Sequence, residues 1–249
     1  MDEREQSGPM SVVDPSGVVA QRERAAPEEE GCGRLLAALR EVGTPLTHRR
    51  YGRRDTIYRG VEEGGALYVL TEGVARLFVS YPGYAGSKNG TFLLLKPREV
   101  FGYPVLAGGG LRRVSAEAVT ECEVVKVPKV FVMRAIRRWP EVALEMATLL
   151  DLRLAEYEEL VGCLLPRKVE VRLAKILLIL ARKFGEGAEG GGVAIKLRLT
   201  RSDLAAMTAS TRESIIAAVI GLCQAGILTI KSGRILLLDP ERLTRIGHQ

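Results

Sequence analysis

Two hydroxyl residues in the C-terminal third of the chain are each followed, three positions later, by an acid. The pairs are Thr200 with Asp203 and Ser210 with Glu213. In a capping box, the hydroxyl accepts a hydrogen bond from an unpartnered amide at the start of a helix, and the acid bonds back to the amide of the hydroxyl residue. This spacing therefore predicts two short helices, the first beginning at Thr200 and the second at Ser210.

The apolar residues around these pairs predict how the helices pack. Leu204 anchors the first helix, and three residues form one face of the second, namely Ile215, Val219 and Leu222. Further on, the runs ILTI and ILLL flank Ser232-Gly233, a pair that favours a tight β-hairpin. Two helices joined by a tight turn and followed by a β-wing are typical of a DNA-binding domain.

The distribution of charge supports binding to nucleic acid. The chain of 249 residues carries 36 Lys and Arg against 30 Asp and Glu, a formal net charge of +6. From residue 166 to the end there are 14 basic and 7 acidic residues, so the first 165 residues have a net charge of −1. The basic excess therefore lies in the predicted DNA-binding region, as neutralisation of phosphates requires.

The rest of the composition argues against several other classes of protein. No apolar run reaches the roughly 20 residues that span a bilayer, and the opening MDEREQSGPM lacks the pattern of a signal peptide. Four cysteines without CxxC spacing argue against a zinc site or a disulfide framework. These three observations lead us to expect a cytoplasmic protein that contacts no membrane. Because there are only two histidines, no nucleophile elbow and no phosphate-binding loop, we also expect that it is not an enzyme.

Composition and periodicity divide the chain into four regions. Residues 1–32, rich in Glu, Arg, Pro, Gly and Ser, are predicted to form a disordered tail. A short helix followed by alternating runs separated by glycines predicts a β-barrel or jelly roll over 33–138. A long dimerisation helix over 139–165 begins at Trp139-Pro140. The DNA-binding domain covers 166–249 and opens with an amphipathic helix over about 167–184.

The long helix carries an apolar stripe that Arg153 interrupts. Its residues recur at spacings of three and four, which is typical of a coiled-coil seam between two chains. We therefore expect this stripe to face a second copy of the chain. It consists of Val142, Met146, Leu149, Arg153, Tyr157 (or Glu156), Leu160 and Leu164.

This order of parts resembles the Crp/Fnr family of bacterial transcription regulators over about residues 34–245. The resemblance rests on LTRSDLAAM, STRESI and GRILLLDPERL in the C-terminal region and on DTIYRGVEEGGALYVLTEGVARLF in the barrel. It implies an α+β chain with a cyclic-nucleotide-binding-type β jelly roll, a dimerisation helix and a C-terminal winged helix-turn-helix. It further implies a homodimeric regulator, an activator or a repressor, that binds an inverted repeat in double-stranded DNA with half-sites about one helical turn apart. An activator of this kind contacts RNA polymerase.

The resemblance assigns roles to residues of the DNA-binding domain. Arg212 and Glu213 stand where family members read base edges, and these side chains can pair with guanine and with the cytosine amino group. The alternatives are a phosphate contact for Arg212 and the capping box alone for Glu213. Ala217 replaces a further base-contacting arginine of many members, so no operator sequence is carried over. The residues implied in phosphate contacts are Thr200, Arg201, Thr211, Ser214, Lys231 and Arg234, of which the last two could instead form a solvated pair.

The sensor region departs from the pattern of the members that bind cyclic AMP. Their sugar-binding glutamate lies in a Gly-Glu-Leu-Gly-type turn, whereas the corresponding turn here is EVFG at 99–102, with Val100 at the sugar-binding position. Their phosphate-binding Arg-Ser pair corresponds to Arg112-Arg113. The ribose-binding glutamate and the phosphate-binding serine are therefore both missing, which argues against cyclic AMP as the ligand. Because Cys32 and His48 each stand alone, we expect neither an iron–sulfur cluster nor a haem.

The sensor and the long helix are more similar to the branch of the family that senses 2-oxoglutarate to control nitrogen metabolism. The similarity rests on PREVFG, on Arg112 and on the gapless run LRLAEYEELVGCLLPRKVEVRLAKILLILARKFG. It implies that Arg112 and Arg153 hold the two carboxylates of the ligand and that Glu158 reaches across the dimer helix to complete the site. A guanidinium on a dimer seam is costly unless an anion neutralises it.

Alternatives stay open for both the ligand and the function. Arg153 could pair with Glu156, with Glu158 or with an acid of a partner chain, Arg112 could be solvated on a loop, and no ligand need bind. The chain could also be a ligand-binding regulatory protein whose C-terminal domain contacts another protein. A steep dependence of DNA binding on salt distinguishes the regulator, because only neutralisation of phosphates produces it.

Overall fold

The computed structural model describes residues 27–60, 65–80, 89–103, 112–188 and 191–249. Helix α1 (Pro27–Glu41) includes the last six residues of the predicted tail, so the prediction of disorder is wrong for residues 27–32. The helix is held because Cys32, Leu35 and Leu39 are buried in one apolar cluster with residues of the barrel. The rest of the predicted tail, residues 1–26, lies outside the described residues.

The jelly roll is confirmed as two antiparallel four-stranded sheets. The strands are β1 (Thr47–Tyr51), β2 (Thr56–Tyr58), β3 (Ala66–Glu72), β4 (Ala75–Ser80), β5 (Asn89–Leu95), β6 (Val100–Phe101), β7 (Ser115–Ala118) and β8 (Cys122–Pro128). Their orders in the two sheets are β1-β8-β3-β6 and β2-β7-β4-β5.

Strand β3 is buried on both faces, which explains its nearly continuous apolar sequence. Tyr68 and Leu70 belong to the cluster between the two sheets. Leu67 and Val69 point the other way, into the cluster that includes Leu35 of α1. Helices therefore cover the outer face of the first sheet, and the inner face encloses the apolar interior of the sandwich.

Helix α2 (Lys129–Arg138) leads into the long helix α3 (Glu141–Leu164), which lies over the predicted range. The predicted seam is wrong, because its residues face their own subunit. Val142, Met146 and Leu149 are buried with residues of α1, and Leu160 joins the core of the C-terminal domain. A helix that packs on its own subunit needs an apolar face at the same spacing, so the period alone does not identify its partner.

A second apolar stripe on α3 faces outward. It consists of Leu150, Leu154, Val161 and Leu165, spaced by four, seven and four residues, and we call these four residues the outer stripe. Leu154 and Val161 are 54% and 58% exposed, and the other two are exposed as well. The outer stripe, and not the predicted seam, is the face of α3 that is available to a second chain.

The winged helix-turn-helix is confirmed in the C-terminal domain. The wing strands meet at Ser232 and Gly233, both at positive φ (50° and 75°), as a two-residue hairpin turn requires. The elements are α4 (Val169–Phe184), β9 (Gly185–Gly187), β10 (Val193–Ile195), α5 (Arg201–Met207), α6 (Arg212–Gln224), β11 (Leu228–Lys231), β12 (Arg234–Leu237) and α7 (Pro240–Gly247). The wing strands β11 and β12 belong to a sheet of order β11-β12-β10-β9.

The C-terminal domain packs against the barrel of its own chain. Val74 and Leu94 of the barrel belong to the same buried cluster as Leu177 of α4 and Ala205 of α5. The cluster also includes Leu160, so α3 contributes to it. The barrel, the long helix and the C-terminal domain therefore share one continuous apolar interface.

Candidate DNA-binding and effector sites

The first predicted capping box is present at the start of α5. The Asp203 amide donates to Thr200 Oγ1 at 3.1 Å, and the Thr200 amide donates to Asp203 Oδ2 at 2.8 Å. These two bonds satisfy two amides that a helix start would otherwise leave without a partner. They fix the beginning of the first helix of the motif at Arg201.

The second predicted capping box is wrong. Helix α6 is capped by Thr211, whose Oγ1 accepts a hydrogen bond from the Ser214 amide at 3.2 Å. The Ser210 hydroxyl serves the turn instead, because it donates to the Thr208 carbonyl at 3.0 Å and accepts from Arg172 Nη2 at 2.9 Å. Glu213 is therefore not part of a capping box, and the capping role no longer accounts for it.

Arg172 of α4 fixes the turn between α5 and α6. Its Nε donates to the Thr208 carbonyl at 2.9 Å, and its Nη1 donates to the carbonyls of Pro166 and Arg167 at 2.8 and 3.0 Å. One guanidinium thus connects the helix-turn-helix to the segment that enters the domain from α3. The chain bends by 104° between α5 and α6, within the range typical of this motif.

The first turn of helix α6 presents polar side chains outward, on the side away from a buried apolar face. Ile215, Val219 and Leu222 are buried as predicted, and Arg212 and Glu213 in the first turn are exposed. The N-terminal residues of such a second helix are the ones that reach base edges in the major groove. The structure therefore places the two predicted base-reading residues side by side in the turn from which such helices contact bases.

The residues predicted to contact phosphates lie at the helix starts and on the wing. Thr200 and Thr211 are the caps of α5 and α6, next to amides that can donate to a phosphate. Lys231 and Arg234 face each other across the wing strands, on either side of the turn. All six residues are exposed or half-exposed: Thr200, Arg201, Thr211, Ser214, Lys231 and Arg234.

Arg112, the first predicted effector residue, is buried inside the barrel and is only 4% exposed. The alternative in which it is solvated on a loop is therefore wrong. Its guanidinium lies 4.3 Å from the ring centroid of Tyr58 and 5.2 Å from that of Tyr68, and its Nη2 donates to the Ala66 carbonyl at 2.9 Å. Aromatic faces stabilise a buried guanidinium in this way.

Arg153, the second, is buried where α3 meets the barrel, with its Nη2 3.4 Å from the Val100 carbonyl. Burial raises the pKa of the Tyr58 phenol well above its ordinary value, and Arg112 and, more weakly, Arg153 oppose this rise. The charges of both arginines therefore act on the same phenol, and Arg112 also lies against its ring.

Acids of the same chain neutralise Arg153. Its Nη2 lies 3.0 Å from Glu99 Oε2, and its Nη1 pairs with Glu156 Oε2. Burial alone would lower the pKa of the guanidinium, but Glu99 and Glu156 raise it above its ordinary value. The alternative that Arg153 pairs with Glu156 is confirmed.

Two other predicted positions lie away from this pair. Glu158 is exposed, beside Leu154 and Val161 of the outer stripe, and does not approach Arg153 of its own chain. Val100, expected at the sugar-binding position, is buried in the cluster under α1, so its side chain does not line the inside of the sandwich. Residues 104–111, just before Arg112, are outside the described residues.

The sequence indicates no role for several residues near Arg112 or Arg153. Tyr58 and Tyr68 have the pattern of ordinary aromatic residues in strands, and Glu99 lies in a predicted turn. Lys183 stands in the last turn of a helix, where a cation is common in any case. These residues are distant in sequence and meet only through the fold, so no local pattern could have identified them.

Two further observations concern the part of the chain that the structure describes. No group of three or more His, Cys, Asp or Glu residues there could hold a metal ion. No single helix there is long and apolar enough to cross a membrane, and α5 with α6 would satisfy such a test only as a bent pair. Both helices contribute residues to the buried core, for example Leu204 and Ile215.

Comparisons with known proteins match both parts of the chain. Residues 48–138 match the model of the cyclic nucleotide-binding domain, and residues 171–246 match that of the Crp-like helix-turn-helix domain. A solved structure of a CRP-family transcriptional regulator from Thermus thermophilus has a TM-score of 0.69 and 27% identity, with 81% of this chain and 97% of that chain covered.

Two characterised relatives differ in the signal that their names record. The CRP-like cAMP-activated global transcriptional regulator of Mycobacterium tuberculosis is 28% identical, over 84% of this chain and 91% of its own length. The global nitrogen regulator of Synechococcus elongatus is 29% identical, over 85% of this chain and 96% of its own length. Identity to the two is nearly equal, so overall similarity does not choose between their signals.

Proposed function

Because the chain belongs to the Crp/Fnr family of transcription regulators, we propose that it binds an inverted-repeat promoter site as a homodimer. The observation that carries the proposal is the exposed pair Arg212 and Glu213 in the first turn of α6, above a buried apolar face. In this proposal Arg212 donates to guanine and Glu213 accepts from cytosine, each good pair discriminating by about 1–3 kcal/mol. The capped helix starts and the wing cations contact phosphates and set the register.

The proposed dimer forms through the outer stripe of α3. Leu150, Leu154 and Val161 fall at d and a positions of one heptad pattern, and Leu165 follows directly after the next d position. Exposed apolar residues arranged in this way are buried well by a second, parallel helix. Pairing about this axis is isologous and gives two-fold symmetry, which an inverted repeat mirrors. The bound dimer, acting in the cytoplasm, activates transcription through contact with RNA polymerase.

DNA binding at two salt concentrations tests this function against the protein-contact alternative. For a regulator that neutralises several phosphates, affinity falls steeply between 50 and 200 mM salt, by roughly 10³-fold or more for six contacts. A domain that binds another protein gives no such slope with DNA. In vitro transcription from a template that carries the selected site then measures activation, and an unchanged transcript level would contradict the activator role.

We further propose that the effector is a small dicarboxylate such as 2-oxoglutarate. The support is that Arg112 lies against the Tyr58 ring and that Arg153 is buried beside β6 of the same barrel, because two guanidinium groups suit two carboxylates. Arg153 already binds carboxylates of its own chain, so a ligand carboxylate would exchange with that of Glu156, the more exposed of the two acids. Glu158 of the partner subunit would complete the site from the outer stripe. No iron–sulfur cluster or haem is part of this proposal.

Isothermal titration calorimetry with 2-oxoglutarate and with cyclic AMP tests the effector. We expect binding of 2-oxoglutarate and none of cyclic AMP, and we expect Arg112→Met to abolish the heat signal while the dimer persists. The exposed neighbour, Arg113→Met, is the matched control and should bind as the wild type does. Binding of cyclic AMP alone would discard the dicarboxylate and leave the DNA-binding function standing.

A further inference from the structure

Four charged side chains form a closed ring at the junction of the barrel, α3 and the C-terminal domain. Lys183 Nζ lies 2.7 Å from Glu99 Oε1 and 2.7 Å from Glu156 Oε1. Arg153 pairs with the other oxygen of each acid. Each carboxylate oxygen therefore faces one cation, and the four charges cancel within the ring.

The ring joins three separate elements of the fold. Glu99 precedes β6 of the barrel, Arg153 and Glu156 lie on α3, and Lys183 lies in the last turn of α4. Lys183 is thus the member that belongs to the DNA-binding domain. The Lys183 and Glu99 side chains are only 12% and 1% exposed. An ion pair shielded from water to this degree is screened far less by salt than a surface pair.

The neighbouring apolar interface cannot fix an orientation as the ring does. Val74 and Leu94 of the barrel pack against Leu177 and Ala205, but apolar contact is non-directional and tolerates small rotations. Moving Lys183 away from Glu99 and Glu156 would leave buried charges without compensation, so the ring resists a rotation that apolar contact would tolerate. The ring therefore opposes reorientation of the two domains.

We infer that Lys183 is a positioning residue that holds the DNA-binding domain at a fixed orientation on the barrel and α3. In a dimer, this orientation sets the distance between the two α6 helices, which must be about 34 Å for both to bind an inverted repeat. This consequence for DNA rests on the proposed function, whereas the fixed orientation itself does not. Arg153 is a member of the ring, so a ligand that binds Arg153 in place of Glu99 or Glu156 would also change the contact between the barrel and the DNA-binding domain.

The test compares Lys183→Met with Arg182→Met. Arg182 is the adjacent residue of α4 and also pairs with α3, through Glu159, but this pair is exposed. We expect Lys183→Met to weaken binding to the selected inverted repeat about fivefold or more, in the range typical of coupling between sites, and to change single half-site binding by less than about twofold. Arg182→Met should leave both affinities unchanged, and Lys183→Arg should recover much of the loss.

Calorimetric unfolding supplies a readout that does not need DNA. The wild-type chain should unfold in one transition, and Lys183→Met should separate the barrel from the DNA-binding domain into two. Glu156→Gln leaves Glu99 as a partner of Lys183, so it should change DNA binding and calorimetric unfolding in the same direction as Lys183→Met but by less. If Lys183→Met does not fold, Glu156→Gln takes its place in both experiments. Equal losses on the repeat and the half-site, or no separation of transitions, would overturn the role of Lys183. If the wild type bound no DNA, the proposed function would fail, and calorimetry would still decide whether Lys183 fixes the domain.

Discussion

The surface proposed to bind DNA and the interior proposed to bind an effector are built in opposite ways. Arg212 and Glu213 are neighbours in sequence, exposed, and carried by a single helix. Arg112 and Arg153 are 41 positions apart, buried, and already in contact with aromatic rings or acids of their own chain. A contact with DNA can remain solvated until DNA arrives, whereas a charge inside a barrel must be compensated in the folded state.

This difference has a consequence for mutations at the two sites. A change at Arg212 removes a contact that exists only in the complex, so the fold is unaffected. A change in the buried ring removes a contact of the folded state, so stability falls whether or not a ligand exists. Variants of the two sites should therefore separate in unfolding experiments before any binding is measured.

The largest effect is expected from Glu99→Ala in the ring. The substitution leaves Arg153 and Lys183 with a single acid between them, and breaking a buried pair in this way costs about 3–5 kcal/mol. Urea unfolding followed by circular dichroism measures the loss. Glu159→Ala, which removes the exposed partner of Arg182, should cost only about 0–1 kcal/mol. Equal effects of the two substitutions would contradict the account of the ring.

A charge on the outer stripe should dissociate the dimer without unfolding the chain. We expect Leu154→Glu to raise the dimer dissociation constant by about 100-fold or more, since two like charges would meet in an apolar contact. Sedimentation equilibrium measures this constant. Ala155→Glu, exposed one residue further along α3 and off the stripe, is the matched control. A dimer that survives Leu154→Glu would place the interface elsewhere.

At the DNA surface, Arg212→Ala and Arg234→Ala should have different effects. Loss of a base contact lowers the affinity for the preferred site by about 1–3 kcal/mol and relaxes the choice of base at one position. Loss of a phosphate contact by Arg234→Ala weakens all sequences alike and reduces the salt slope by about 1. Competition binding with single-base variants of the site measures both. A uniform loss from Arg212→Ala would reassign Arg212 to phosphate.

The smallest effect is expected on the exposed side of the barrel, at Glu123. Hydrogen bonds from His48 at 2.7 Å and Arg50 at 3.3 Å hold the pKa of this carboxyl below its ordinary value. A carboxyl whose pKa is lower in the folded chain stabilises the fold above its ordinary pKa, and this stabilisation is lost as pH falls through the lowered value. Unfolding of the wild type and Glu123→Gln across acid pH should show a small difference that vanishes at the lowest pH. A difference that grows as pH falls would contradict the lowered pKa.

The sequence was sufficient to predict the DNA-binding domain because its determinants are local. The Thr200 box, the buried face of α6 and the Ser232-Gly233 turn each lie within a few residues and have known geometry. Even there, Ser210 and Thr211 are adjacent hydroxyls, and only the contact of Ser210 with Arg172 decides which of them caps α6.

The sensor and the long helix could be predicted only in outline. The period of α3 was predicted correctly, but two apolar stripes lie on that helix, and the sequence does not say which faces the subunit and which faces outward. The partners of Arg153 were predicted in part, since Glu156 is three residues away on the same helix. Glu99 and Lys183 are 84 positions apart and meet only after the barrel and the C-terminal domain have docked.

Selection from random-sequence DNA tests the central claim most directly, because it requires both the dimer and the exposed first turn of α6. We predict that the wild-type protein enriches an inverted repeat with half-sites about one helical turn apart. Under the same conditions, Arg212→Ala should enrich a repeat that has lost its preference at one base pair in each half. No enriched repeat from the wild type, with or without millimolar 2-oxoglutarate, would contradict the account.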